Sequence, residues 1–274
     1  MSSPSPRELA NRVAVVTGAS RGIGRATAIE LAAAGAHVVV HAGHDGRAAE
    51  RTAEPVRNRG VECRIVVADL TADAAQDALV EDAWQWRDGV DIWINNAGVD
   101  ILTGDRRRWG FEQRLDALWQ VDTRATIRLS RAIGKRMVQR GRGVILNLGW
   151  DGAERGMAGD TAELFAVCKG AVMAFTRSLA QSLAPAVRVN CLALGWIKTA
   201  WGEQASAYWQ DRAREESLAD RWGTPEDVAR IARFLVSPQA DFISGQIIQV
   251  NGGHRESPTT PPPQPDHPEQ THSS

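Results

Sequence analysis

The sequence predicts an α/β fold, a single doubly wound domain with a seven-stranded parallel sheet and helices on both faces. Three observations carry this expectation. Short, mostly β-branched apolar runs alternate along the chain with Ala-, Leu- and Arg-rich stretches of helical period. The runs are apolar at consecutive positions rather than at every second one, as in strands buried on both faces. The 274 residues, 43% hydrophobic and 24% charged with a formal net charge of -1, supply one large core and contain no second linker.

Taken in order, residues 1 to 10 read as a short flexible leader. Strands are expected at Val13 to Val16, Val38 to Val40, Ile65 to Val67, Ile92 to Ile94, Val144 to Leu148, Val187 to Leu192 and Ile247 to Val250. Helical patterns fall between them, at Gly24 to Ala34, Asp73 to Trp86, Glu112 to Gln139 and Glu163 to Leu183. Strict alternation implies right-handed crossovers, and such a sheet binds ligands at the carboxyl ends of its strands. The domain is expected to span 11 to 256. Six of the twelve prolines fall in the last stretch, so residues 257 to 274 read as a disordered Pro-rich tail.

Composition narrows the function classes. The near-neutral balance gives no footprint for nucleic acid, and Arg106, Arg107 and Arg108 read as a solvated helix start. No apolar stretch approaches the roughly 20 residues of a bilayer span, and Met1 to Leu9 has no secretory apolar core, so a cytoplasmic protein without a membrane partner is expected. Cys63, Cys168 and Cys191 have neither disulfide nor zinc-ligand spacing and read as small buried thiols, with no metal implied. The chain has ten Trp and a single Tyr, Tyr208.

Directly after the first strand comes Thr17-Gly18-Ala19-Ser20-Arg21-Gly22-Ile23-Gly24, which opens a helix. Gly18 permits a tight turn, Gly22 lets backbone approach a pyrophosphate, and Gly24 allows close packing. The helix N-terminus adds free N–H groups and a positive dipole end.

The spacing GxxxGxG in this strand-turn-helix context resembles the short-chain dehydrogenase/reductase family, a family with the Rossmann fold. Further segments extend the resemblance over about residues 10 to 253. Asp69, followed by Leu70, matches the family's adenine-side aspartate, and Asn95-Asn96-Ala97-Gly98 matches its NNAG motif. Lys169 stands where the family's lysine stands, and Gly195-Trp196-Ile197-Lys198-Thr199 matches PG-x-I-x-T with Leu194 in place of proline. Arg221 to Ala229 and Ser244 to Gly253 match the C-terminal part. The resemblance implies a nicotinamide cofactor held by Gly18, Ser20, Arg21, Gly22, Ile23, Gly24, Asp69, Leu70, Asn96, Ala97, Gly98, Lys169, Gly195, Ile197 and Thr199. It also implies a homodimer or homotetramer.

A carboxylate at the end of the second strand binds the ribose hydroxyls of NAD and repels a 2′-phosphate. Here that position aligns with Ala42, in His41-Ala42-Gly43-His44, and Arg21 is placed to meet a phosphate. NADPH is therefore expected over NADH.

Catalysis in the family uses Asn, Ser, Tyr and Lys, with Tyr and Lys spaced YxxxK. This chain reads Phe165-Ala166-Val167-Cys168-Lys169, and its only Tyr lies beyond Lys169. The serine position aligns with Trp150 or, across a longer loop, with Asp151 or Gly152, and the asparagine with Asp122. Asp151, Glu154 and Asp122 are the candidate acids, since burial near Trp150 and Phe165 raises a carboxyl pKa. Tyr208, reaching in from a lid, is another. Trp150, Phe165, Trp196 and Trp201 are expected either to wall a substrate pocket suited to a cationic or aromatic molecule, or to serve as packing and subunit contacts.

Two functions follow. One is an NADPH-dependent reductase with a non-standard site of Lys169, Asp122 and Asp151. It would act on an activated substrate, an imine, iminium or conjugated system, or on a carbonyl. The other is a cofactor-binding protein of this fold whose redox chemistry has been lost or replaced by cyclisation or isomerisation.

Overall fold

Strand-forming runs of Val, Ile and Leu alternate here with helices whose apolar stripes have one place to go, the two faces of a sheet. The computed structural model describes residues 7–255. Its elements are β1 (Val13–Val16), α1 (Gly22–Ala33), β2 (His37–Ala42), α2 (Gly46–Arg57), β3 (Cys63–Val67), α3 (Asp73–Gln85) and β4 (Ile92–Asn95). There follow α4 (Phe111–Leu118), α5 (Thr126–Arg140), β5 (Gly143–Trp150), the short α6 (Gly152–Arg155), α7 (Asp160–Leu183), β6 (Val187–Leu194), α8 (Ala200–Gln204), α9 (Ala207–Glu216), α10 (Pro225–Val236) and β7 (Ile247–Val250).

The seven strands form one parallel sheet in the order β3-β2-β1-β4-β5-β6-β7. Chain direction across the sheet reverses between β1 and β4, and the crevice at their carboxyl ends is the ligand-binding place of such a fold. Alternate residues of β1 serve opposite faces. Ala14 and Val16 pack with Ala28 and Leu31 of α1, Val56 of α2 and Leu235 of α10. Val13 and Val15 pack with Leu79 of α3, Ile133 and Met137 of α5 and Leu183 of α7.

All seven expected strands are present. Several are longer than their apolar runs, because parallel pairing continues through polar positions: β2 starts at His37, opposite Val13, and β5 runs to Trp150, opposite Leu194. Two expectations are modified by the structure. Within the stretch expected to be a leader, Leu9 is only 1% exposed in the core and Glu8 lies 2.6 Å from Arg233, which also meets Glu30, while Arg7 and Ala10 are exposed. The helical stretch expected from Glu112 to Gln139 is present without a break, as α4, a π-helical turn at Trp119–Ala125, and α5. That turn inserts Asp122, Thr123 and Ala125 into the protein, where all three are buried. The helix at 46–57 is hard to see in the sequence, because its buried stripe is Ala48, Ala49, Thr52, Ala53 and Val56 beside Pro55, a weak apolar signal. The Pro-rich tail expected at 257–274 lies outside the described residues.

Cys168 and Cys191 are buried, and burial pushes the Cys191 thiol up to about 12. Among the described residues no helix is long and apolar enough to cross a membrane.

Candidate active site

The glycine turn is locked from behind. Thr17 Oγ1 accepts the N–H groups of both Asn96 and Ala97 at 3.0 Å, and the Asn96 amide donates to the carbonyls of Thr17 and Gly18 at 2.8 and 3.0 Å. The segment after β4 therefore sets the shape of the segment after β1. Gly18 has φ +62° and stands so close to Ala97 that a Cβ would lie 2.7 Å from its Cα. A Cβ on Gly24 would lie 2.4 Å from the Gly18 carbonyl oxygen. Gly22, at φ +54°, differs: its outer face is open, with Thr199 Cγ2 at 3.9 Å as the sole neighbour there.

No side chain caps α1, so its first N–H groups are left for an anion. An open cradle, bare helix N–H groups and Thr199 across the crevice fit a pyrophosphate. Ser20 and Ile23 belong to this same turn, and Ser20 accepts a hydrogen bond from Thr52 through its carbonyl oxygen.

At the end of β2 the residue aligned with the ribose-binding carboxylate is Ala42, buried and apolar. Arg21 is exposed beside the turn, and its charge helps hold the carboxyl of Asp100 below the usual range. Burial pushes that carboxyl up, but the hydrogen bonds from Thr103 and Leu102 outweigh it. Asp69 is partly exposed, accepts the Thr71 N–H at 2.9 Å and lies 3.4 Å from His44. The Thr71 hydrogen bond is the main cause of its lowered pKa. Leu70 puts its side chain into the core, so only its backbone is available.

His41 is a residue of the site for which the sequence has no motif. Its ring is buried between strands, where Nδ1 accepts the Gly18 N–H at 3.1 Å and Nε2 donates to the Ala68 carbonyl at 2.9 Å. The ring thus ties the glycine turn to the end of β3. Burial lowers its pKa, which favours the neutral ring that these two bonds require.

On the other side of the crevice, Asn95 and Asn147 anchor β4 to β5. Asn95 Nδ2 donates to Asn147 Oδ1 and to Ser130 Oγ, and Asn147 donates to Thr176 of α7, all within 2.8 to 2.9 Å. This buried network fixes α7, which carries Lys169. The Lys169 ammonium lies 2.8 Å from Asp122 Oδ2, and Asp122 Oδ1 accepts the Val99 N–H at 2.8 Å. Gly98 has no room for a side chain, since a Cβ would lie 2.8 Å from Asp122 Oδ2.

Asp151 is buried elsewhere. Its Oδ2 accepts from Arg155 Nη1 and Asn251 Nδ2, each at 2.9 Å, beside Gly195. Asp122 and Asp151 thus share no partner, and each meets a cation. Glu154 is on the surface with Arg177 and Gln249. Tyr208 meets Trp209 edge to face, and its hydroxyl accepts from Arg212, which leaves it in α9 rather than in the crevice.

The four expected pocket aromatics divide into two groups. Trp150 and Phe165 meet edge to face, with centroids 6.4 Å apart, and Phe165 packs against the apolar group around Ile101, Leu118 and Leu164. Trp196 and Trp201 stack at 6.0 Å within a cluster completed by Trp209 and Trp222. Trp201 thus joins α8 to α9. Trp196 and Trp150 share a cleft of about 290 Å³ with Asp151, Arg155, Arg212 and Glu216. Ile197 is buried and bridges to Gly223, which holds the loop that carries Thr199 toward Gly22.

Comparison with known proteins agrees with this architecture. Residues 18–255 match a family model described as enoyl-(acyl carrier protein) reductase. The chain is 33% identical over 251 residues to the 3-oxoacyl-[acyl-carrier-protein] reductase FabG of Aquifex aeolicus, covering 90% of this chain and 98% of that protein. It superposes with TM-score 0.82 and 29% identity on a 7α-hydroxysteroid dehydrogenase solved with NADH and 7-oxo glycochenodeoxycholic acid, covering 93% of this chain and 98% of the other. A short-chain dehydrogenase of Burkholderia cenocepacia J2315 in complex with NADP gives TM-score 0.80 at 29% identity, covering 90% and 98%.

Proposed function

The chain belongs to the short-chain dehydrogenase/reductase family, and from that premise we propose that it is an NADPH-dependent reductase of an activated acceptor, an iminium, imine or conjugated system. The observation that carries the reading is the Lys169–Asp122 ion pair at 2.8 Å, formed where no phenol is in reach.

NADPH supplies a hydride when bound, and the residues that would hold it are the Gly18 to Gly24 turn, Arg21, Asp69, Asn96, Ala97, Gly98, Ile197, Thr199 and Lys169. Arg21 offers a guanidinium to a 2′-phosphate, and Ala42 offers no carboxylate to repel it. Asp122 keeps Lys169 in place and balances its charge. Phe165 stands at the position that the family pattern gives to the proton-donating Tyr, and Trp150, Asp151 or Gly152 at that of Ser, and none of them carries an alcohol or phenol hydroxyl. An acceptor that is already cationic or conjugated develops little oxyanion, so its reduction does not require that hydroxyl. The exposed apolar residues Trp119, Val138 and Val167, on the π-helical turn, α5 and α7, support a homodimer or homotetramer.

The test follows NADPH oxidation against matched panels of imines, enones and ketones. Turnover of imines or enones with little turnover of ketones is the expected result. Binding of NADPH without turnover of any panel member overturns the reading in favour of a non-redox role.

A further inference from the structure

We infer that the cleft between β5, β6 and α9 is a subsite for an anionic group on an aromatic or apolar body. That this group belongs to the hydride acceptor rests on the reductase reading above. Two carboxylates line the cleft, Asp151 and Glu216, and both are neutralised from within it. Asp151 takes Arg155 Nη1 at 2.9 Å, and Glu216 takes Arg212 Nε at 2.5 Å and the indole N–H of Trp196 at 2.7 Å.

Accessibility decides which sign of charge a ligand meets. The side chains of Asp151 and Glu216 are 5% and 7% exposed, whereas those of Arg155 and Arg212 are 32% and 20% exposed. The polar groups offered to a ligand are therefore guanidinium N–H donors, which suit an anion rather than the cationic molecule expected from the sequence. A guanidinium carries five N–H donors in a planar fork, and the bonds to Asp151 and to Glu216 and Tyr208 engage only some of them.

Trp150 and Trp196 add flat apolar walls to the same cleft. A volume of about 290 Å³ suits a body of one or two rings. Trp150 also meets Phe165 edge to face, and Gly195 begins the loop that leads to Thr199, so the cleft adjoins the ends of β5 and β6. An aromatic or conjugated carboxylate has this chemistry.

The experiment is calorimetric titration of the full chain, saturated with NADPH, with indole-3-acetate, its neutral amide and tryptamine. The acetate is expected to bind about tenfold more tightly than the amide, as a charge-assisted bond to a guanidinium provides. Arg155→Gln should reduce that preference to below about threefold and Arg155→Lys should keep most of it, with NADPH affinity unchanged in both as the check of folding. Equal binding of acetate and amide, preference for tryptamine, no binding of any probe, or an intact preference in Arg155→Gln overturns the inference. Failure of the reductase reading looks different: the acetate preference stands while NADPH is not oxidised by any acceptor panel.

Discussion

Lys169 and Asp122 form a buried ion pair that the fold builds from two separate devices, the π-helical turn that carries Asp122 inward and the long helix α7 that carries Lys169. Their side chains are 15% and 3% exposed. Removing one member leaves the other uncompensated. Lys169→Met is expected to cost about 3 kcal/mol in urea denaturation, more than Asp122→Asn, which keeps an oxygen for the Val99 N–H. Asp122→Asn should also lower turnover of a cationic acceptor. Equal stability of Lys169→Met and the parent chain would contradict the pair's structural weight.

Restoring the family's phenol alone is expected to do little. Phe165 lies against Trp150, so Phe165→Tyr places a hydroxyl beside an indole rather than beside a serine. Ketone reduction by Phe165→Tyr should stay within about threefold of the parent, whereas Phe165→Tyr with Trp150→Ser should raise it further, since paired oxyanion donors act together. NADPH oxidation with a ketone panel measures both. A large gain from the single substitution means that the serine is dispensable here.

In the proposed NADPH complex Arg21 meets the 2′-phosphate. Loss of a hydrogen bond to a charged group is worth about 1.5–3 kcal/mol, so Arg21→Ala should raise the NADPH Kd roughly 10- to 100-fold. The NADH Kd should change by less than about threefold, because NADH presents no such phosphate. Parallel losses for both cofactors would place Arg21 on the shared pyrophosphate instead.

His41 predicts a pH dependence of stability. Its pKa is lowered by burial in the folded chain, so between that value and the ordinary 6.5 the unfolded chain binds the proton and the folded chain does not. Stability therefore rises with pH through this window and falls as pH drops below 6.5. The groups around the ring are Gly18 and Ala68, with Asp69 and His44 at the same end of the sheet. His37 is shifted the same way by burial and Arg87, so the relevant measurement is the difference between the parent and His41→Gln in denaturation midpoint from pH 7.5 to 5.5. That difference should shrink as pH falls, and NADPH affinity should weaken in the same range as the Gly18 bond to Nδ1 is lost. A pH-independent difference would remove His41 from the linkage.

The sheet is legible in the sequence because parallel strands buried on both faces are near-continuous apolar runs, as Val38-Val39-Val40 and Val144-Ile145-Leu146 are. Helices with sparse stripes were missed for the opposite reason. The site was legible where a residue type is demanded by local backbone: Gly18 and Gly22 take positive φ, and Asn96 has the two-sided amide that closes the turn. Arg155 and Arg212 stand four residues from Asp151 and Glu216, a spacing that marks helical ion pairs in either direction. That spacing could have flagged them.

By itself the sequence determined the order of strands and helices, the glycine turn after β1 and, through one tyrosine at position 208, the absence of a YxxxK pair. Tertiary structure alone decided which charges are spent. Asp122 met Lys169 because a π-helical turn moved it inward, and Asp151 met Arg155 and Asn251 because β5, β6 and β7 end together there. Local patterns encode backbone geometry, whereas the partner of a buried charge is set by residues distant along the chain and close only after folding.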